Sequence, residues 1–296
     1  MDDNVQPMNS HSMLPPIIGP EVLTHRPDII LCDVRWYLDR TPGRDAYFNG
    51  HLPGAIYVDL DEHLATLPTI SGGRHPMPAA ASFAISMGSL GIKESDTVVA
   101  YDDTNGMSAG RLVWMLRALG CDAALLDGGI TRYPHQLQTG GFRRLPVFRP
   151  IIEWPSEFLA TADDAAAVGS NKVGVLIDSR TPDRFFGKNE PVDPRAGHIP
   201  GAINAPFGDN TSDQGKFLSP AELYSRFTEI GISDQNSAVV YCGSGVSACN
   251  NLLAIEYAGL GKARLYAGSW SQWSHDEQRP IATNSSSNVK GSSTRL

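Results

Sequence analysis

Cysteine is scarce in this chain: four residues in 296, at Cys32, Cys121, Cys242 and Cys249, with no Cys-x-x-Cys pair among them. That is too few and too scattered for a disulfide-stapled fold. No His and Cys share the short spacing of a zinc ligand set, so no metal is expected. Long apolar runs are missing too. No stretch approaches the roughly 18 apolar residues of a membrane span, and residues 1–16 begin with Asp2 and Asp3 where a signal peptide would be basic. The expectation is a reduced, cytoplasmic protein with no membrane partner. Basic residues are outnumbered, 24 Lys and Arg against 32 Asp and Glu, for a net charge of −8. This argues against a nucleic-acid partner, since sequence-independent binding needs a basic footprint to displace counterions. It leaves open a small anionic substrate, which a few local arginines can recruit.

What is present is an ordinary globular composition, 41% apolar and 19% charged, sufficient for packed cores and incompatible with disorder throughout. At roughly 150 residues per domain the length leans towards two domains. An internal repeat supports this. Gly50-His51-Leu52-Pro53-Gly54-Ala55-Ile56 recurs 147 positions later as Gly197-His198-Ile199-Pro200-Gly201-Ala202-Ile203. Ahead of each block an apolar run ends in Asp-x-Arg, at residues 29–35 and 175–180. Behind each comes another apolar run, at 97–101 and 238–241, offset by 140. Leu125-Leu126-Asp127-Gly128-Gly129 is answered by Leu265-Tyr266-Ala267-Gly268-Ser269 at the same offset. Four matches in one order at nearly constant spacing identify a tandem duplication.

The short β-branched runs bounded by turn formers read as buried parallel strands. Helical patterns lie between them, at residues 79–90, 108–119, 220–230 and 246–258, with Pro or small polar residues at some starts and Gly near most ends. Alternation of this kind predicts an α/β fold of two tandem domains, each a parallel sheet with helices on both faces. The expected division is a disordered tail over residues 1–15, a first domain over 16–136, a linker rich in Gly and Pro over 137–157, a second domain over 158–283, and a polar disordered tail over 284–296.

The copies diverge at one informative place. After the third strand the first copy reads Tyr101-Asp102-Asp103-Thr104-Asn105-Gly106, and the second reads Tyr241-Cys242-Gly243-Ser244-Gly245-Val246-Ser247. A cysteine thus stands at the carboxyl end of a parallel strand, where open α/β sheets bind ligands. The turn that follows is Gly-rich, so successive N–H groups can point at one centre, and a helix N-terminus adds positive potential. Both features favour a thiolate. Cys242 is the candidate nucleophile; the alternative is a buried, inert cysteine, the ordinary fate of such residues. Cys32, Cys121 and Cys249 lack the loop context. The first copy, with Asp102 in that place, is expected to be catalytically silent. A phosphatase-like Cys-x5-Arg is excluded, because Ala248 occupies the arginine position. The loop is neutral, so a substrate anion must be gripped from elsewhere. Arg184 and Arg195 flank residues 186–194 and could hold a carboxylate, unless they are surface residues paired with Asp183 or Asp193.

Together the tandem His-[Ile/Leu]-Pro-Gly-Ala-Ile blocks, the silent first copy and the Cys242-Gly243-Ser244-Gly245-Val246-Ser247 loop resemble the two-domain rhodanese sulfurtransferases, over residues 17–281. Members preferring 3-mercaptopyruvate carry Cys-Gly-Ser-Gly-Val-Thr, which this loop matches except for Ser247; members preferring thiosulfate carry basic residues directly after the cysteine. The resemblance implies a persulfide cradle formed by Gly243, Ser244, Gly245, Val246 and Ser247, and Arg184 and Arg195 as substrate binders. It also implies Ser244, His75 and Asp61 as a proton relay, with Asp59 or His63 as substitutes should the register slip. It implies sulfur transfer through a Cys242 persulfide to a thiol, to reduced thioredoxin or to cyanide, without a cofactor. Thiosulfate:cyanide transfer is the nearest alternative, followed by a non-catalytic persulfide carrier or redox thiol, and then by a purely structural or binding tandem domain.

Overall fold

The computed structural model describes residues 13–171, 174–233 and 238–283; residues 1–12 and 284–296, the greater part of the expected tails, lie outside the described residues. Two five-stranded, wholly parallel sheets follow one another along the chain. The first contains β1 (Ile17–Ile18), β2 (Ile30–Asp33), β3 (Ile56–Tyr57), β4 (Val98–Tyr101) and β5 (Ala123–Leu126), in the order β1-β5-β4-β2-β3. The second repeats it with β6 (Leu159–Ala160), β7 (Val175–Asp178), β8 (Ile203–Asn204), β9 (Ala238–Tyr241) and β10 (Arg264–Tyr266), in the order β6-β10-β9-β7-β8. Asp33 pairs with Tyr101 in the first sheet as Asp178 pairs with Tyr241 in the second, so the duplication read from the sequence is preserved in register.

Alternation along these strands sends one set of side chains to each face. Val175, Ile177, Val240 and Leu265 join Ile30, Cys32, Val98 and Ala100 in a single buried cluster that runs through both halves of the chain. The helices Ala109–Ala118 and Ala248–Tyr257 pack against each other at its centre, with Leu112, Met115, Leu252 and Leu253 fully or almost fully buried. The opposite sheet faces carry their own smaller cores, Val99, Tyr101 and Leu126 in one and Leu176, Val239 and Tyr241 in the other. Leu14, at the end of the expected N-terminal tail, is itself buried, and its N–H donates to Asp122. No helix among the described residues is long and apolar enough to cross a membrane.

The repeated motifs do matching structural work. Arg35 bonds both Asp33 oxygens and the Gly50 carbonyl, and Arg180 does the same with Asp178 and the Gly197 carbonyl. The buried Tyr101 and Tyr241 hydroxyls accept the N–H groups of Leu52 and Ile199. Each Asp-x-Arg pair therefore latches its sheet to the His-x-Pro-Gly turn. The segment after the first sheet runs back over the first half: Gly140 N–H donates to Phe48, Val147 N–H to Gly88, and the Trp154 indole to the Pro78 carbonyl.

Candidate active site

The chain leaves β7 towards β8 and β9 towards β10, in opposite directions across the sheet, and the carboxyl ends at such a switch point are where sheets of this kind bind ligands. Cys242 is the first residue beyond β9, 2% exposed. Its carbonyl accepts the Trp270 N–H and its own N–H donates to the Ser269 hydroxyl, which fixes the start of the loop. The loop then turns back: the Gly245 N–H donates to Cys242 Sγ at 3.2 Å. Gly245 has φ +75° and a Cβ there would lie 2.4 Å from the Ala267 carbonyl oxygen, so the turn demands glycine. The helix Ala248–Tyr257 starts directly after it.

The first half shows what a loop of this shape does. Asn105 and Gly106, in the corresponding turn, also have positive φ, 57° and 78°. The Asp102 carboxylate, in the place of the cysteine, accepts the backbone N–H groups of Thr104, Gly106, Ser108 and Ala109 at 2.8–2.9 Å. This cradle holds an anion built into the chain, and the thiol of the second half occupies the equivalent position.

Residues of the first half complete the site. Ser244 Oγ lies 2.8 Å from His75 Nδ1, and His75 Nε2 lies 3.1 Å from Asp61 Oδ1. The second contact fixes the tautomer: Nε2–H donates to Asp61, leaving Nδ1 to accept from the Ser244 hydroxyl. Asp61 also accepts the Trp36 indole N–H at 2.9 Å, and the Trp36 ring meets His75 edge-on. Burial pushes the His75 imidazole below its ordinary range, and this outweighs the upward pull of Asp61. The His75 hydrogen bond, in turn, holds the Asp61 carboxyl below the usual carboxylate range. His75 is therefore neutral at pH 7 and able to take a proton. The substitutes are engaged locally: Asp59 caps the short helix Leu60–His63, and His63 Nδ1 accepts the Asp59 N–H.

Two guanidiniums stand over the cysteine loop. A Cβ on Gly243 would lie 2.9 Å from Arg74 Nη2 and 3.2 Å from Arg184 Nη1. Behind them, Arg184 bonds both Glu190 oxygens and Asp193, and Arg74 bonds the other oxygen of Asp193. Burial works against the Glu190 carboxylate, but bonds from Arg184 outweigh it and hold its pKa below the ordinary value; for Asp193 burial prevails and raises it. The alternative of an acid-paired Arg184 thus holds as well, although one end of the group still faces the loop.

Arg195 is engaged on the turn that follows the second sheet. Its guanidinium donates to the backbone carbonyls of Ser274, Arg279, Trp273 and Asp276. Four of its five N–H groups are spent on pinning that turn, which leaves one for the substrate contact that the resemblance implies. Arg74, not anticipated at this site, is the guanidinium that stands beside Arg184 over the loop; the available signal was its position directly before His75. Arg111 was missed as well: it is wholly buried and donates to the carbonyls of Leu64, His75 and Gly245. The remaining cysteines are buried, and burial pushes the Cys249 thiol up to about 12. Among the described residues no group of three or more His, Cys, Asp or Glu side chains is arranged to hold a metal ion.

The comparisons with known proteins agree with this architecture. The family described as Rhodanese-like domain matches residues 21–135 and 158–276. A Mycobacterium tuberculosis protein, provisionally named a thiosulfate sulfurtransferase, is 39% identical over 261 residues, covering 86% of this chain and 90% of its own. A Pseudomonas aeruginosa protein, provisionally named a 3-mercaptopyruvate sulfurtransferase, is 39% identical over 273 residues, 87% of this chain and 93% of its own. Among solved structures, 3-mercaptopyruvate sulfurtransferase from Leishmania major superimposes with a TM-score of 0.76 at 31% identity, over 90% of this chain and 75% of that one. With two matched domains, the same latches in each sheet and a single thiol in the paired loops, the chain belongs to the rhodanese-like family.

Proposed function

We propose that this sulfurtransferase takes sulfur from 3-mercaptopyruvate onto Cys242, releases pyruvate, and passes the sulfur from the Cys242 persulfide to a thiol acceptor, reduced thioredoxin or cyanide. The observation that carries this reading is the His75–Ser244 hydrogen bond, which brings a proton relay from the first half over the thiol loop of the second. A relay is needed only by a donor whose leaving group must gain a proton.

The donor's carboxylate meets the ends of Arg74 and Arg184 that face Gly243, a geometry suited to bidentate recognition. The Cys242 thiolate attacks the donor sulfur, the C–S bond breaks, and its electron pair leaves as the pyruvate enolate. The proton carried by the donor thiol then reaches the enolate carbon through Ser244 and the neutral His75, with Asp61 holding the imidazole in the required tautomer. Products are pyruvate and the Cys242 persulfide anion. The Gly245 N–H, already on Sγ, stabilises negative charge there. An acceptor thiolate then removes the outer sulfur and restores the thiolate.

Thiosulfate is the second reading, favoured by the two guanidiniums at the loop mouth and by the name of the Mycobacterium relative. Steady-state transfer from each donor, in wild type and Cys242→Ser, decides between them. The proposal expects a preference for mercaptopyruvate that vanishes in the variant. Preference for thiosulfate would keep Cys242 and overturn the donor; activity surviving in Cys242→Ser would overturn the nucleophile and leave a carrier or binding module.

A further inference from the structure

Arg111 is a charged residue with no exposed surface and no carboxylate partner. Burying a guanidinium costs several kcal/mol unless a counter-charge balances it. The other cations here are balanced: Arg180 by Asp178 and Glu190, and Arg74 and Arg184 by Asp193 and Glu190. Cys249, the second residue of the following helix, is held as a neutral thiol by burial, and burial lowers the pKa of His75. Arg111 is the one positive charge beside the loop left without a counter-charge among the described residues.

Its geometry is specific. Nη1 donates at 2.8 Å to the carbonyl of Gly245, whose own N–H donates to Cys242 Sγ, and Nη2 donates at 3.0 Å to the carbonyl of His75. One side chain of the first half thereby holds both the glycine whose N–H meets the sulfur and the loop carrying the relay histidine. The matching turn of the first half meets a different partner. There the carbonyl of Asn105 accepts the neutral side-chain amide of Asn250 at 2.8 Å. The loop holding a permanent carboxylate faces an amide, and the loop holding the thiol faces a cation.

We infer that Arg111 is a positioning residue that supplies, from the half of the chain without a reacting thiol, the fixed positive charge balancing the Cys242 thiolate and persulfide anion. This rests on the reading of Cys242 as the nucleophile. Its charge also disfavours a proton on His75, which keeps the relay open. Removal of such a counter-charge is expected to slow attack by the sulfur about tenfold.

The test compares Arg111→Lys, Arg111→Gln and Arg111→Met with wild type. The rate of Cys242 alkylation by iodoacetamide at pH 7 is followed on the Cys242 peptide by mass spectrometry, beside thermal melting and kcat and KM for both donors. The inference expects alkylation and kcat about tenfold lower in the Gln and Met variants, with KM little changed, and both recovered within about threefold by Lys, which keeps the charge but cannot make four carbonyl bonds. Lys as slow as Gln and Met, or Gln as fast as wild type, would overturn it in favour of a purely structural role. Should Met fail to fold, the Lys and Gln pair still decides. Failure of the underlying reading looks different: wild-type Cys242 would react no faster than a free cysteine, and Cys242→Ser would retain transfer.

Discussion

The loop of the first half offers a direct measure of what this cradle is worth to a negative charge, because there the anion is part of the chain. In Asp102→Asn one end of the side chain becomes an NH2 group. Thr104 and Gly106 donate to one carboxylate oxygen and Ser108 and Ala109 to the other, so either flip of the amide leaves two backbone donors facing a donor. Asp102 is 1% exposed, and water does not replace the lost acceptor. Each stranded donor costs about 1–3 kcal/mol, and the two surviving bonds lose their charge-assisted strength; together the loss is about 4 kcal/mol. For a chain of this size each kcal/mol lowers Tm by about 2 °C, so a fall of about 8 °C is expected by scanning calorimetry. Asp103→Asn is the control. Its side chain is exposed and bonds only the Tyr37 hydroxyl, so it should cost under about 1 kcal/mol. Matching melting temperatures for the two variants would refute the view of this loop as an anion cradle.

Other consequences can be checked independently. Ser244→Ala and His75→Asn should lower kcat with mercaptopyruvate by about 10²–10⁴-fold, and much less with thiosulfate, whose sulfite leaving group needs no proton; equal losses with both donors would remove the relay. Burial lowers the pKa of His75, so the acid limb of kcat/KM should fall below pH ~6.5. Asp61→Asn, by removing the contact that raises that pKa, should move the limb further towards acid, and a shift towards neutral pH would contradict the assignment. Arg184→Lys keeps the charge beside Glu190 and Asp193 but loses the planar fork, and should raise KM for mercaptopyruvate by about tenfold with a smaller change in kcat.

Much of this architecture was legible because duplication writes the same signals twice. Strands β2, β4, β7 and β9 were visible as short β-branched runs, and the four expected helices appear within one or two residues of their pattern boundaries. β1 and β6, two residues each, are too short to show a period, and the Ala-rich helix Ala162–Asn171 has little apolar bulk to mark a face. The thiol loop could be found because its backbone needs glycine and its chemistry needs cysteine, both of which are letters of the sequence. The arginines were harder. Spacing in the chain does not say which way a long side chain turns, and the carbonyls that capture Arg195 lie at residues 273–279. Arg111 did leave a trace, a cation inside the apolar helix Ala109–Ala118, but its acceptors come from Leu64, His75 and Gly245, which only the fold brings together.

The continuous core between the halves has a consequence for traffic. Leu112, Met115, Leu252 and Leu253 belong to one cluster, and the Arg117–Glu256 ion pair and the Asn250 amide stitch its margins. A molecule joined in this way has no waist at which to bend, since parting the halves would wet its most apolar surface at about 25 cal/mol per Å². The loop of residues 66–75 and the turn of residues 186–195 are themselves joined above the cysteine loop by the Arg74–Asp193 ion pair. Any opening over the 2% exposed Cys242 therefore falls to these two segments and not to the halves of the chain.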